Sequence, residues 1–300
     1  IGSPCDLYMQ LLDAGGGKVA EALREASLRA FQDLVQLAID RRAEFLLLAG
    51  DIYDGPKRGV RAQIALLRGV RRLCEAGIQG CVARGNHDHE GGWARIRDWP
   101  PGFHEMPADE VDSIPVEREG RLLATVHGIS YDRRYVTENL AARFPRPSGP
   151  RLHIGLLHCN VGGNAEHESY APCSMDDLRG AGMGYWALGH IHRFSVLAEG
   201  KPWIVYPGSL QGRSPKPSEQ GPKGAVVVEV DDARVKGVEF VPLDHVRFAG
   251  LPVDVEAISD LAGLEDALRD GADRLRAENP GRGLMIRAEL AGSGTIHDVL

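Results

Sequence analysis

AEFLLLAGDIYD, residues 43–54, is the stretch on which the fold turns. Phe45–Ala49 is apolar at every position. A strand with only one face buried would alternate, so this one reads as a central parallel strand covered on both sides. Upstream, Val19, Leu23, Ala30, Phe31, Leu34, Val35 and Ala38 mark an amphipathic helix across 18–41. Downstream, Val60, Ile64, Leu67, Val70 and Cys74 form the stripe of a second helix, and Gly77 stands where a C-cap would end it. The next apolar run, Ile78–Ala83, is then a second strand. A helix between two strands implies a right-handed crossover and a parallel sheet.

Further short apolar runs occur at Leu122–Val126, Leu152–Leu157, Tyr185–Leu188 and Ile204–Tyr206. Ala225–Val230 and Val235–Val241 flank Asp231-Asp232 and read as a hairpin. The close spacing of the later strands predicts a second sheet. The expected fold is α/β, a layered β-sandwich of two mixed sheets flanked by helices. Near residue 245 the pattern changes. Leu251–Val255 reads as a strand, Ile258 to Leu275 as a helix, Leu284–Leu290 as a strand, and Gly292–Gly294 as a turn. Residues 1–245 are therefore expected to form one domain and 246–300 the beginning of a small α+β capping domain.

The composition is that of a globular chain: 300 residues, 43% hydrophobic, 26% charged, net charge −7. Gly and Pro are dispersed without a short-period repeat, which excludes collagen-like and solenoid architectures. No apolar run approaches the roughly 20 residues of a membrane helix, and no signal-peptide pattern opens the sequence. An acidic chain cannot hold nucleic acid by bulk charge and would need a basic groove or metal ions. Cys5, Cys74, Cys81, Cys159 and Cys173 form no C-x-x-C pair. They read as buried thiols in a reducing, cytoplasmic compartment, with no paired spacing for zinc.

The polar residues that follow each apolar run carry the chemistry. Gly50-Asp51-Ile52-Tyr53-Asp54 follows the first strand and Arg84-Gly85-Asn86-His87-Asp88 the second. His158 follows HIGLL, and Gly189-His190-Ile191-His192 follows YWAL. Ligand sites in open α/β sheets lie beyond the carboxyl ends of strands. Hard oxygens and imidazoles gathered there suit Mn, Fe or Zn. Singly, each has a plainer reading: Asp51 as a helix N-cap, His158 as a hydrogen-bonded structural residue, GNHD as a turn. Together and in this order they predict a metal site.

GDIYD, GNHD, the strand-end His158 and GHIH resemble the calcineurin-like metallophosphoesterase superfamily in order and approximate spacing. The flanks AFQDLVQLAIDRRAEFLLLAGDIYD, YAPCSMDDLRGAGMGYWALGHIHR and VYPGSLQGR look like DNA double-strand-break repair exonucleases of the SbcD/YhaO type. The resemblance implies two divalent ions, with Mn²⁺ the favoured metal. It assigns Asp51, Asn86, His158 and His190 to one ion, and Asp51 and His192, with an Asp-x-His pair, to the other. That Asp-x-His pair does not occur in this sequence, which opens on Ile1-Gly2-Ser3-Pro4, so the chain is expected to be truncated at both ends. Two-metal hydrolysis of a phosphodiester is the implied reaction. His87 is the implied proton donor to the leaving oxygen, the plainer alternative being a structural histidine. Asp54 and Asp88 look like carboxylates that orient imidazoles. The partners implied are DNA, a second copy of the chain and a coiled-coil ATPase of the SbcC type, with no membrane.

Other residues keep plainer readings. Arg84 and Arg213 would touch phosphate or lie as solvated surface charges. His127 reads as structural, and His89, His104, His167, His245 and His297 carry no motif. Trp93 and Trp99, with Arg95 and Arg97, would face DNA or, as preferred, pack the tryptophans into the core. Three functions compete: a metal-dependent DNA exonuclease or endonuclease, a small-molecule phosphodiesterase or phosphatase, and a non-catalytic DNA-end-binding subunit.

Overall fold

The computed structural model describes residues 17–53, 60–89, 98–163, 168–294 and 296. Its order is α1 (Gly17–Asp40), β1 (Phe45–Ala49), α2 (Val60–Glu75), β2 (Gln79–Ala83), β3 (Phe103–Glu105), β4 (Asp112–Arg118), β5 (Arg121–Gly128), β6 (Leu152–His158), α3 (Met175–Gly180), β7 (Tyr185–Gly189), β8 (Ser195–Ala198), β9 (Trp203–Tyr206), β10 (Gly224–Asp231), β11 (Arg234–Pro242), β12 (Val246–Asp254), α4 (Leu261–Glu278) and β13 (Gly283–Ala291). Two compact units emerge. One gathers 31–209 and 224–241; the other gathers 242–300 with 210–223 and the residues up to 30.

In the larger unit, β1, β2 and β3 form a parallel sheet in that order. A mixed six-stranded sheet runs β4-β5-β6-β7-β9-β8, parallel from β5 through β9 and antiparallel at both edges. Among the described residues the first sheet is parallel and the second mixed. The fold is thus mixed α/β with several sheets flanked by helices.

Apolar alternation explains the layering. Phe45, Leu47 and Ala49 of β1 pack with Val126, Ile154, Leu156 and Val205 of the larger sheet, and the β10–β11 hairpin adds Val226, Val228, Val235 and Val238 to that cluster. Leu46 and Leu48 turn the other way, onto Val35 and Ala38 of α1 and Leu66, Val70 and Leu73 of α2. The far face of the six-stranded sheet buries Trp186, Leu157 and Leu188 against Phe144 and Leu178. Gly155 is required there, because any Cβ would strike the Trp186 ring. With both faces covered, β6 is buried at all but one position.

The strands that sequence periodicity did not anticipate lie at sheet edges; β1, read as a central strand, also stands at an edge of its sheet among the described residues and is half-buried throughout. β3 is three residues long, β8 is four, and β4 carries Pro115. Short, polar or proline-bearing strands are typical of sheet edges and leave little periodic signal.

In the smaller unit, β12 and β13 pair in parallel from Val246↔Gly283 to Asp254↔Ala291. Leu251, Val253 and Val255 bury against Leu264. Asp260 caps α4, its carboxylate accepting from the Gly263 N–H at 2.8 Å. The buried Asp244 carboxylate is gripped by both arms of the Arg247 guanidinium at 2.7 and 2.8 Å. Among the described residues no helix is long and apolar enough to cross a membrane. Cys74, Cys81, Cys159 and Cys173 are unbridged thiols.

Candidate metal centre

Strand register brings the polar residues together. Ala49 pairs with Ala83 at the ends of β1 and β2, and His158 pairs with Gly189 at the ends of β6 and β7. The two sheets meet at this end: a Cβ on Gly189 would collide with the Ala49 carbonyl oxygen, and one on Gly50 or Gly85 with the His158 ring. These glycines are therefore a spatial demand of the site. The backbone also turns sharply, with φ of +87° at Gly50, +54° at Asp51 and +97° at His190. Left-handed conformations at two non-glycine residues cost about 1–3 kcal/mol each and concentrate at functional sites.

His158 is the centre. It is fully buried, and its Nδ1 lies 2.9 Å from the Ala49 carbonyl oxygen. A carbonyl only accepts, so Nδ1 carries the proton and Nε2 is presented inward. Nε2 lies 3.0 Å from Asn86 Oδ1 and 3.4 Å from Asp51 Oδ2. Burial alone would lower the His158 pKa, but the Asp51 carboxylate and the Ala49 carbonyl lift it above the ordinary imidazole value. Burial likewise pushes Asp51 up, yet His158 and His87 hold its carboxyl well below the usual range. A positive charge at Nε2 is thus what the surrounding oxygens favour.

Asp88 organises the backbone. Its carboxylate accepts from the N–H groups of Gly85 at 2.7 Å, Ile52 at 2.9 Å and Asp51 at 3.2 Å. It ties the Gly50–Ile52 turn to the Gly85 turn. Asp88 was expected to orient an imidazole; its oxygens are committed to amides instead. Burial and the nearby Asp51 charge push its pKa up. Asp54 lies outside the described residues. The His87 N–H donates to Asp51 Oδ1 at 2.9 Å, which sets its half-buried side chain beside that carboxylate.

His190 stands next to His158, with ring centroids 5.3 Å apart, and its Nε2 meets the Glu168 carbonyl at 2.9 Å. His192 follows in the same loop, its carbonyl accepting from the Ser209 N–H at 3.2 Å. Asn86 and Asp51 both meet His158 Nε2, and the His190 ring adjoins that of His158. Among the described residues no three His, Cys, Asp or Glu side chains close around a single point. The donor chemistry nevertheless fits a divalent ion: a carboxylate, an amide oxygen and an imidazole nitrogen of fixed tautomer meet where a Cβ would fill the space.

Arg84 corrects its surface reading. It is buried, and its guanidinium pairs with Glu105 instead of lying in solvent. Trp99 packs in the core as preferred, its ring 6.1 Å from Phe103 and its Nε1 donating to Glu105 at 2.9 Å. Trp93, Arg95, Arg97, His167 and His297 lie outside the described residues. His127 is buried and structural: Ser113 Oγ lies 2.8 Å from Nδ1 and His153 Nδ1 lies 3.0 Å from Nε2.

Residues without a motif complete the surroundings. The Tyr131 hydroxyl donates to the His158 carbonyl at 2.7 Å and the Tyr206 hydroxyl to the Cys159 carbonyl at 2.8 Å. Both hold the end of β6. No local sequence signal identifies them, because they reach the site through sheet order.

The chain matches the calcineurin-like phosphoesterase family over residues 8–194, and the middle domain of metallophosphoesterase YhaO over 248–300. It is 35% identical to an uncharacterized metallophosphoesterase, YhaO of Bacillus subtilis (strain 168), over 90% of this chain and 65% of that protein. It is 28% identical to the DNA double-strand break repair protein Mre11 of Aeropyrum pernix, over 63% of this chain and 49% of that one. The Mre11 of Thermoplasma acidophilum is 24% identical over 90% of this chain and 72% of its own length. The chain thus spans about two-thirds of YhaO and half of the first of these Mre11 proteins.

Proposed function

The chain belongs to the calcineurin-like phosphoesterase family, of the YhaO/SbcD type, and from that premise we propose that it is a metal-dependent phosphodiesterase acting on DNA ends. The observation that carries the proposal is the meeting of Asp51, Asn86 and His158 at the ends of β1, β2 and β6. The likeness to proteins named for DNA double-strand break repair favours DNA over a small phosphodiester.

In this reading Asp51, Asn86, His158 and His190 would hold one divalent ion, with Mn²⁺ favoured, and Asp51 and His192 would contribute to a second. Bound there, the metals would supply a nucleophilic water near neutral pH and draw charge from the phosphoryl oxygens. Asn86 offers a neutral oxygen, which limits the negative charge that an anionic substrate meets. Asp88 fixes both turns through their amides, so the donors are preorganised. His87, held beside Asp51 by its own N–H, carries a proton to the leaving oxygen. A second copy of the chain and a coiled-coil ATPase partner belong to the same reading, with the unit holding residues 242–300 as the DNA-facing cap and the cytoplasm as the compartment.

The test is digestion of end-labelled linear duplex DNA with Mn²⁺. Label should be released, and EDTA should stop the release. Efficient hydrolysis of bis(nitrophenyl) phosphate with every DNA end left intact would replace this reading with the small-molecule one.

A further inference from the structure

An aromatic chain leads away from the candidate metal centre to the surface. The His190 ring lies 5.3 Å from His158, Tyr170 lies 5.5 Å from His190, and Tyr135 lies 5.8 Å from Tyr170. Tyr135 ends the series at 61% exposure, more than any other large hydrophobic side chain among the described residues. The Arg134 guanidinium lies 5.4 Å over its ring.

The segment that presents Tyr135 is fixed at both ends to the walls of the site. Tyr131 is fully buried and donates to the His158 carbonyl at 2.7 Å. Val136 is buried, and its carbonyl accepts from the Ala171 N–H at 2.7 Å. Residues 132–135 between these anchors are all exposed. Arg133 is already paired with Asp132 and Glu138; Arg134 hydrogen-bonds the Tyr170 side chain and, among the described residues, forms no ion pair with a carboxylate. An aromatic ring held in water on anchored backbone, with a cation beside it, carries the two elements a single-stranded nucleotide requires: a π-face for the base and a positive charge for the phosphate.

We propose that Tyr135, supported by Tyr170 and flanked by Arg134, is a stacking platform for a base of a single DNA strand that continues past Tyr170 and His190 to the His158 site. The proposal rests on the DNA reading above and adds to it the residues that grip the strand. Stacking does not depend on base identity, so the platform binds a frayed end of any sequence.

The test uses the 300-residue chain and a fluorescein-labelled single-stranded DNA oligonucleotide, with affinity read by anisotropy in EDTA. Cleavage of linear DNA with Mn²⁺ is measured in parallel. Tyr135→Ala should weaken the oligonucleotide by roughly five- to a hundredfold, the range for loss of one stacked base. Tyr135→Trp should bind at least as well as the wild type. Against an oligonucleotide of the same length made of abasic residues, Tyr135→Ala and wild type should bind equally. Equal melting temperatures establish that the variants are folded, and the exposure of Tyr135 makes that the expected result. If Tyr135→Ala binds the ordinary oligonucleotide as the wild type does while the wild type still cuts DNA ends, the platform is wrong and the nuclease reading stands. If Tyr135→Ala loses affinity equally on abasic DNA, stacking is wrong. A protein that binds normally through Tyr135 but never cuts, also when extended upstream to carry an Asp-x-His pair, supports the platform and overturns the nuclease. One that neither binds nor cuts in either form overturns both.

Discussion

His87 and Asn86 are adjacent in sequence and differ in what they touch. Asn86 Oδ1 is 3.0 Å from His158 Nε2, whereas His87 is linked to the cluster through its backbone N–H on Asp51. Asn86→Ala removes a donor, so Mn²⁺ content and phosphodiesterase activity should fall together. His87→Ala removes none of the clustered donors. It should keep its metal and lose roughly 10²–10⁴-fold in kcat, the usual worth of a general acid. Metal analysis beside steady-state kinetics separates the two. A nitrophenolate leaves without being protonated, so His87→Ala should regain part of its activity on a nitrophenyl phosphodiester. Loss of metal, or equal inactivity on both substrates, would make His87 a supporting residue.

These residues were legible in the sequence because each follows an apolar run at a strand end. Asp51 is no helix N-cap, because Ile52 and Tyr53 after it are not helical. Legibility failed where the role depends on three-dimensional neighbours. Arg84 sits beside the GNHD motif yet is buried and paired with Glu105, a partner distant in sequence. Asp88 reads as a carboxylate for an imidazole but serves three amides, two of them in the left-handed turn at Asp51 and the third at Gly85.

At the level of strands, the site depends on how closely β1 and β7 approach. Gly189→Ala would push a methyl group into the Ala49 carbonyl oxygen, which is backbone and cannot rotate away. The expected cost is about 1–3 kcal/mol, with His158 and His190 forced apart and metal affinity reduced. Chemical denaturation with a parallel metal titration measures both. Gly77→Ala is the comparison, because a Cβ there meets nothing and only its φ of +78° resists. Gly77→Ala should lose stability without losing metal.

His127, on β5, gives the central sheet an acid limit. Burial and the neighbouring His153 lower its pKa to about 4, against about 6.5 unfolded. A histidine kept neutral by folding stabilises fully above the unfolded value, and the contribution drains away as pH falls from 6.5 towards 4. The loss amounts to roughly 3 kcal/mol at most. His127→Gln cannot gain that proton, so urea midpoints should fall less steeply for this variant than for wild type across that interval. Parallel slopes would show that another group sets the limit.

Across the whole chain, long apolar runs gave away the buried strands, and stripes at helical spacing gave away α1, α2 and α4. The edge strands β3, β4 and β8 were silent because partly solvated strands need no continuous apolar run. Spacing could not reveal that residues 210–223 group with 242–300, since the chain leaves one compact unit and returns to it. The aromatic path to Tyr135 was equally hidden. It joins three segments, around residues 135, 170 and 190, that meet only once the six-stranded sheet has formed.

The central claim is that these strand ends hold a divalent cation where His158 Nε2 faces Asp51 and Asn86. Crystals of the chain grown with Mn²⁺, with diffraction recorded at the manganese absorption edge, address it directly. The account predicts an anomalous peak bonded to Asp51, Asn86 Oδ1 and His158 Nε2, with His190 swung from the Glu168 carbonyl onto the ion. Crystals soaked in Mn²⁺ that show no peak there, with His158 Nε2 still on Asn86, would contradict it.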